Sequence, residues 1–321
     1  MVCFGAFGLA QLLLFYLPAV QCVVNIDDYF NVKTGNEDVG GCDEIYEGKT
    51  GHEWLQTWFQ EAQTLTDTAS NAIKGYGTEE LSRKNLAVFM GIEPKGGTGN
   101  APSNPKNLGV VEANFQKTQQ WLATAPAQKK WIFCSAKWLV EKKPDDLLEV
   151  THGSSSGFSS SSGPQAKIKD VYSIPSGQKP YWSKDLQEYL IERPMNAKNF
   201  CNRNFKNFGG TMEWFGTLGA TEPTQNTALT EVMSKGVTLY HELFHFILGS
   251  VETPDIISNL RGVISTSASD AINGEVKSAW LPESLATFAE AQWLSVNQWP
   301  GIASNQYWGW DGAGNAQQKA R

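Results

Sequence analysis

Positive charge is scarce in this 321-residue chain: 26 Lys and Arg stand against 33 Asp and Glu, a formal net charge of −7 at pH 7. A nucleic acid or an anionic membrane surface would be repelled, so neither is an expected partner, whereas a polypeptide is. Histidine is scarcer still. There are four, and none follows His245. No Asn-x-Ser/Thr acceptor occurs, which removes N-glycosylation as a sign of export. Nothing repeats at a fixed period, which excludes solenoids and propellers.

The N-terminus lacks the usual basic residues, yet Val2 to Val20 is almost wholly apolar, with Leu12, Leu13, Leu14 and Phe15 at its centre and Pro18-Ala19 near its end. This pattern reads as a secretory signal peptide over residues 1–22, cleaved near residues 19 to 22; a short membrane anchor is the competing reading. The expectation is a secreted, extracellular protein with no stable membrane association after signal removal. Of five cysteines, Cys3 lies inside the signal, Cys22 at its edge, and Cys42, Cys134 and Cys201 beyond it. Three cysteines leave one unpaired. A Cys134–Cys201 bridge is favoured, with Cys42–Cys134 as the alternative.

What is present describes a globular protein, with 41% hydrophobic and 18% charged residues and enough length for a substantial core. Apolar residues at helical spacing predict long helices over His52 to Ile73, Leu108 to Ala123 and Leu281 to Val296. Strand character appears at Trp131-Ile132-Phe133, Leu147 to Val150 and Ile168 to Ile174. The Ser/Gly-rich stretch near residues 153–163 reads as a flexible insertion. The expected organisation is an N-terminal segment over 23–40, a catalytic domain over 41–296 and a C-terminal tail over 297–321. In that tail Tyr307, Trp308 and Trp310 are expected to pack on the domain.

One short stretch carries chemistry: His241-Glu242-Leu243-Phe244-His245, followed by Phe246-Ile247-Leu248-Gly249. Histidines four apart on a helix share a face and can hold one small cation, with Glu242 at its edge. This is the HExxH spacing of zinc peptidases. A single Zn2+ lowers the pKa of water from about 15.7 to roughly 7, and a carboxylate such as Glu242 then removes the proton. Leu239, Leu243, Phe246 and Ile247 recur at core-facing spacing, and Gly249 suits a left-handed residue ending the helix. His52 and His152 read as solvent-exposed.

Two histidines leave the ion short of ligands. Glu252, Asp255, Asp270, Glu275, Glu283 and Glu290 are the downstream acidic candidates. Here the sequence resembles the aspzincins, the deuterolysin-like and lysine-specific fungal metalloendopeptidases, whose signature adds a Gly-Thr-x-Asp-x-x-Tyr-Gly stretch after HExxH. Thr253-Pro254-Asp255-Ile256-Ile257-Ser258 matches at the threonine and the aspartate. The resemblance implies Asp255 as third zinc ligand; Pro254 favours an extended Thr253, which helps the chain fold back. Leu281-Pro282-Glu283-Ser284-Leu285-Ala286-Thr287-Phe288-Ala289 is similar to the family's Asn-Ala-Asp-Ser-Tyr-x-x-Phe-Ala helix start, with weaker echoes at Gly41-Cys42 and Phe200-Cys201, so that the likeness spans most of residues 41–296.

The departures are specific. Ser258 stands where the family has a tyrosine that stabilises the tetrahedral oxyanion, and a serine hydroxyl is shorter. Glu283 matches one acidic position of the family's lysine pocket, but Ala286 stands at a second. Glu283 is also the alternative third ligand, as in gluzincins, where a glutamate on a following helix reaches back to the metal, and a helix-capping role for it is a further reading.

The expected fold is α+β and zincin-like, with a small mixed sheet and the HExxH helix as cleft floor. The expected activity is peptide-bond hydrolysis by a secreted zinc metalloendopeptidase acting on a polypeptide laid along a sheet edge. A catalytically weak or inactive binding protein on the same scaffold is the alternative.

Overall fold

The computed structural model describes residues 24–127, 129–134, 139–141, 181–183, 188–190, 197–199, 216–249, 252–254, 256–257 and 259–320. The predicted signal peptide, the strands at 147–150 and 168–174, the serine-rich insertion, His152, Cys22, Cys201, Asp255 and Ser258 lie outside them.

Helix α1 (Ile26–Tyr29) leads into strand β1 (Phe30–Val32), and the short hairpin β2 (Ile45–Tyr46) and β3 (Lys49–Thr50) leads into the long helix α2 (Gly51–Lys74). Thr50 and Glu53 close a capping box: Thr50 Oγ1 accepts from the Glu53 amide at 3.1 Å, and Glu53 Oε2 accepts from the Thr50 amide at 2.7 Å. From that start the 3.6-residue period aligns Trp54, Leu55, Trp58, Phe59, Ala62, Leu65, Ala69 and Ile73 on one buried face. Each large apolar side chain removed from water contributes roughly 1.5–3 kcal/mol, so this face is the spine of the core.

Helices α3 (Glu80–Met90) and α4 (Pro105–Ala123) follow, the latter capped by Asn104 with Pro105 in its first turn. Strand β4 (Lys130–Phe133) then pairs in parallel with β1, Phe30 opposite Lys130, and β8 (Ala197–Asn199) pairs in parallel with β4. Strands β5 (Leu139–Glu141), β6 (Tyr181–Ser183) and β7 (Glu188–Leu190) form a separate antiparallel sheet. The fold therefore mixes helices with several small sheets; among the described residues parallel and antiparallel pairs do not join into the single mixed sheet expected.

Parallel pairing of β1 with β4 corrects the expected disulfide. The chain just past β1 turns back so that the Cys42 amide donates to Lys33 O at 2.8 Å, while the Cys134 amide donates to Gly40 O at 3.0 Å. Cys42 and Cys134 are bonded, their Cα atoms 5.0 Å apart. Cys134 is thus paired with Cys42 and not with Cys201. Sequence spacing could not decide this, because the pairing depends on which strand lies beside β1.

The rest of the chain supplies α5 (Gly236–Leu248), α6 (Leu260–Asn273), α7 (Pro282–Val296) and the antiparallel hairpin of β9 (Gln306–Trp310) and β10 (Ala316–Ala320). Helix α5 packs against α2, α4 and α7, which makes it a central helix. The residues beyond Pro300 are an integral hairpin: Tyr307, Trp308 and Trp310 are buried, and Trp310 Nε1 donates to Ala291 O at 3.0 Å. No helix of the described residues is long and apolar enough to cross a membrane.

Candidate metal centre

Helix α5 is held on nearly every side. Tyr240 is fully buried and its hydroxyl lies 2.8 Å from Thr66 Oγ1 on α2. Phe244 meets Phe115 of α4 edge-on at 5.6 Å, and Phe246 meets Trp121 at 5.4 Å. Tyr240 and Phe244 therefore anchor the helix together with the expected Leu239 and Leu243, while Phe246 and Ile247 are only partly buried. Hydrophobic spacing missed Tyr240 and Phe244 because α5 is buried on more than one face and has no single stripe.

His241 and His245 lie one turn apart, ring centroids 5.0 Å from each other and planes inclined at 70°. His241 is 15% exposed and His245 5%. Each ring is steered through Nδ1. His241 Nδ1 lies 3.1 Å from Glu283 Oε2, and His245 Nδ1 lies 3.0 Å from Thr253 Oγ1.

These contacts fix the proton on each neutral ring. Thr253 Oγ1 donates its hydrogen to Gly249 O at 2.7 Å, so toward His245 it accepts, and Nδ1 of His245 carries the proton. The Glu283 carboxylate likewise accepts from Nδ1 of His241. In both rings the lone pair is then on Nε2. An oxygen partner on one ring nitrogen that sets the other as ligand is the arrangement found around metal-binding histidines.

Local sequence explains why Thr253 arrives there. Gly249 ends α5 at φ 96° and ψ 131°, a positive φ as expected but extended in ψ instead of left-handed helical. At this φ of 96° a Cβ is strained whatever space surrounds it, so the reversal favours glycine. The Thr253 amide and hydroxyl both return to Gly249 O, which brings Thr253 against His245. Sequence reasoning missed Thr253 as a site residue; its position between a helix-ending glycine and Pro254 was the available signal.

Glu283 arrives by tertiary packing. A one-turn 3-10 segment (Ser278–Trp280) precedes α7, fixed by Asp270 Oδ2 accepting from the Ser278 amide at 2.7 Å and by Asn114 Nδ2 donating to Ala279 O at 2.6 Å. Pro282 opens α7 and Glu283 falls in its first turn, aimed at His241.

The other acidic candidates are placed elsewhere. Asp270 is committed to that turn, Glu275 pairs with Lys277 at 2.9 Å, and Glu290 is buried against the Ser234 amide. Glu252 is exposed beside Gly249. Glu242 is half-buried and follows His241 directly, at the edge of the histidine face of α5. His52, expected in solvent, is partly covered and pairs with Asp27 at 3.0 Å.

Among the described residues no group of three or more His, Cys, Asp or Glu is arranged to hold a metal. The two histidines are brought together and oriented, Glu283 faces the Nδ1 side of His241, and Asp255 lies outside the described residues. The donor chemistry fits a borderline cation such as zinc: two imidazoles one helical turn apart, with the Glu283 carboxylate beside His241. No family model, curated protein or solved structure matches this chain.

Proposed function

We propose that the chain is a zinc-dependent metalloendopeptidase of the aspzincin type, built on a zincin-like fold and secreted. The observation that carries the reading is the pair of oxygen partners on Nδ1 of His241 and His245, which puts the lone pair of each ring on Nε2, the tautomer that suits a metal-binding histidine. A buried pair kept for packing alone would have no need of two separate devices selecting the same tautomer.

In this reading His241, His245 and Asp255 hold the ion, and Glu283 orients His241 instead of serving as a ligand. Thr253 orients His245. A zinc ion bound there supplies Lewis acidity, polarising the scissile carbonyl and acidifying water. Glu242, at the edge of the histidine face of α5, takes the proton from the attacking water and passes it to the leaving amine nitrogen. Burial of α5 among α2, α4 and α7 keeps these groups fixed, so little reorganisation is needed as the peptide reacts. Ser258 stands where the family has its tyrosine, so a metal bound there would have to supply more of the oxyanion stabilisation.

The test is a purified full chain loaded with zinc and assayed on a broad peptide library, with and without chelator. One zinc per chain and chelator-sensitive cleavage are expected. Glu242→Gln should lower turnover by about 10²–10⁴-fold while zinc stoichiometry is unchanged. Zinc binding without turnover would replace the enzyme by a binding protein on this scaffold, and absence of zinc binding would end both readings.

A further inference from the structure

The chain contains a single Asn-Gly pair, Asn273-Gly274, and it stands where α6 ends. An asparagine side chain and the amide nitrogen that follows it are tethered so closely that joining them closes a five-membered ring. Glycine in the second position leaves that nitrogen unshielded, having no side chain. What restrains the two groups decides whether they react.

Among the described residues four helices are followed by a glycine. In three of them the glycine amide caps the helix: Gly75 donates to Asn71 O at 2.8 Å, Gly91 to Ala87 O at 3.2 Å and Gly249 to His245 O at 3.1 Å. Gly274, left-handed at φ 66° and ψ 24°, makes no such bond among the described residues. A helix end without its cap frays.

Packing does not hold this end either. The buried face of α6 is Val263, Ser267 and Asp270, whereas Ile272 is 83% exposed and Asn273 and Gly274 are exposed beside it. The space where a Cβ of Gly274 would stand is open, with nothing within 4 Å. Asn273 Nδ2 donates to Ser269 Oγ at 3.1 Å, an exposed bond for which water competes.

We infer that Asn273 is a site of spontaneous covalent modification. The Gly274 nitrogen, after giving its proton to hydroxide, attacks Cγ of Asn273. The N–Cγ bond forms, the Cγ–Nδ2 bond breaks, and Nδ2 leaves as ammonia on taking a proton from water. The cyclic imide then adds water at either carbonyl and opens to aspartate or isoaspartate. Solvent supplies every co-reactant, and nothing is oxidised or reduced.

Asp311-Gly312 could close the same ring and serves as the internal comparison. Asp311 Oδ1 accepts from the Ala313 and Asn315 amides, both at 2.9 Å, and Oδ2 accepts from Asn315 Nδ2 at 3.3 Å. Those bonds hold its carboxylate in place and favour the ionised form, which has no good leaving group.

The segment that follows Asn273 carries the consequence. Residues 271–277 join α6 to the 3-10 turn ahead of Glu283, and the span is tied by Asp270 Oδ2 to the Ser278 amide at 2.7 Å and by Glu275 O to Asn104 Nδ2 at 3.0 Å. Isoaspartate routes the main chain through its side chain and lengthens it inside that closed loop. Either product adds negative charge at the negative end of the α6 dipole, between Asp270 and Glu275 in the chain. The Asp270–Ser278 bond is what gives way. Its effect on Glu283 and zinc rests on the metal-centre reading; the modification itself does not.

The zinc-loaded full chain, aged at mildly alkaline pH, is mapped by mass spectrometry, with isoaspartate labelled by an isoaspartyl methyltransferase. Asn273 should convert faster than every other asparagine by about 10-fold or more, with ammonia released and Asp311 unchanged. In the aged fraction the Ser278 amide should exchange its hydrogen about 10-fold faster, and zinc affinity in chelator competition should fall. Asn273→Gln, whose side chain would have to close a larger ring, should keep fresh values of both after the same treatment. An intact Asn273, or one that converts no faster than the other asparagines, overturns the proposal. Conversion with unchanged Ser278 exchange overturns the claim that the turn depends on it. Undiminished zinc affinity in aged protein whose Ser278 amide has loosened counts against Glu283 in the metal centre and leaves the modification standing.

Discussion

Replacing Thr253 by valine keeps the volume and branching of a fully buried side chain while removing its hydroxyl. Two contacts disappear: the 3.0 Å acceptor for His245 Nδ1–H and the 2.7 Å donor to Gly249 O. The Gly249 carbonyl keeps the Thr253 backbone amide at 3.1 Å, so its loss is small. His245 is 5% exposed, and stranding its buried N–H costs about 1–3 kcal/mol. Some of that cost falls on folding. The remainder falls on metal binding, because a ring without its Nδ1 partner can shift the proton to Nε2 and must shift it back to ligate. Outer-shell losses of this type weaken metal binding by about 10–100-fold. Competition against a chromophoric zinc chelator measures the affinity, and thermal unfolding of the metal-free protein measures the folding share. Thr253→Ser, which restores the hydroxyl, should recover most of the affinity. Wild-type zinc affinity in Thr253→Val would refute the claim that this hydroxyl sets the His245 tautomer.

Glu283→Gln retains an oxygen that can accept from His241 Nδ1 but removes the charge, so zinc affinity should fall less than in Glu283→Ala, for which a loss of about 10–100-fold is expected; equal losses in the two would favour direct ligation by the carboxylate. Gly249→Ala forces a methyl toward Glu252 at a φ of 96° and should cost about 1–3 kcal/mol in urea unfolding, with a wild-type midpoint counting against the strain. Reducing the Cys42–Cys134 bridge, which spans a sequence separation of 92, should destabilise by up to about 4–5 kcal/mol through the entropy of the released loop, and an unchanged Tm under reductant would contradict the pairing. Gly236→Ala places a methyl against Glu61 Oε2 and should lower Tm, an effect that Glu61→Ala relieves in the double variant.

Local sequence determined much of this protein. The Trp54–Ile73 stripe with its Thr50 and Glu53 cap specified α2, the periodic residues around Trp121 specified α4, and Pro282 with the run after it specified α7, because period and capping are properties of a single segment. The spacing of His241 and His245 likewise sufficed to put two imidazoles on one face. Helices α3 and α6 were not foreseen: their apolar faces are short and are completed by packing against each other and, for α3, α7. In the C-terminal tail Tyr307, Trp308 and Trp310 already point to packing on the domain, and they are buried there, whereas the β9–β10 pairing that seats them is decided by the tertiary structure. Only the tertiary structure chose Cys42 as partner of Cys134, turned Glu283 toward Nδ1 of His241 and laid Thr253 against His245. Each of these depends on which distant segment lies alongside. A one-dimensional pattern encodes the period of its own face, but the neighbour of that face is decided only when all the faces are buried together.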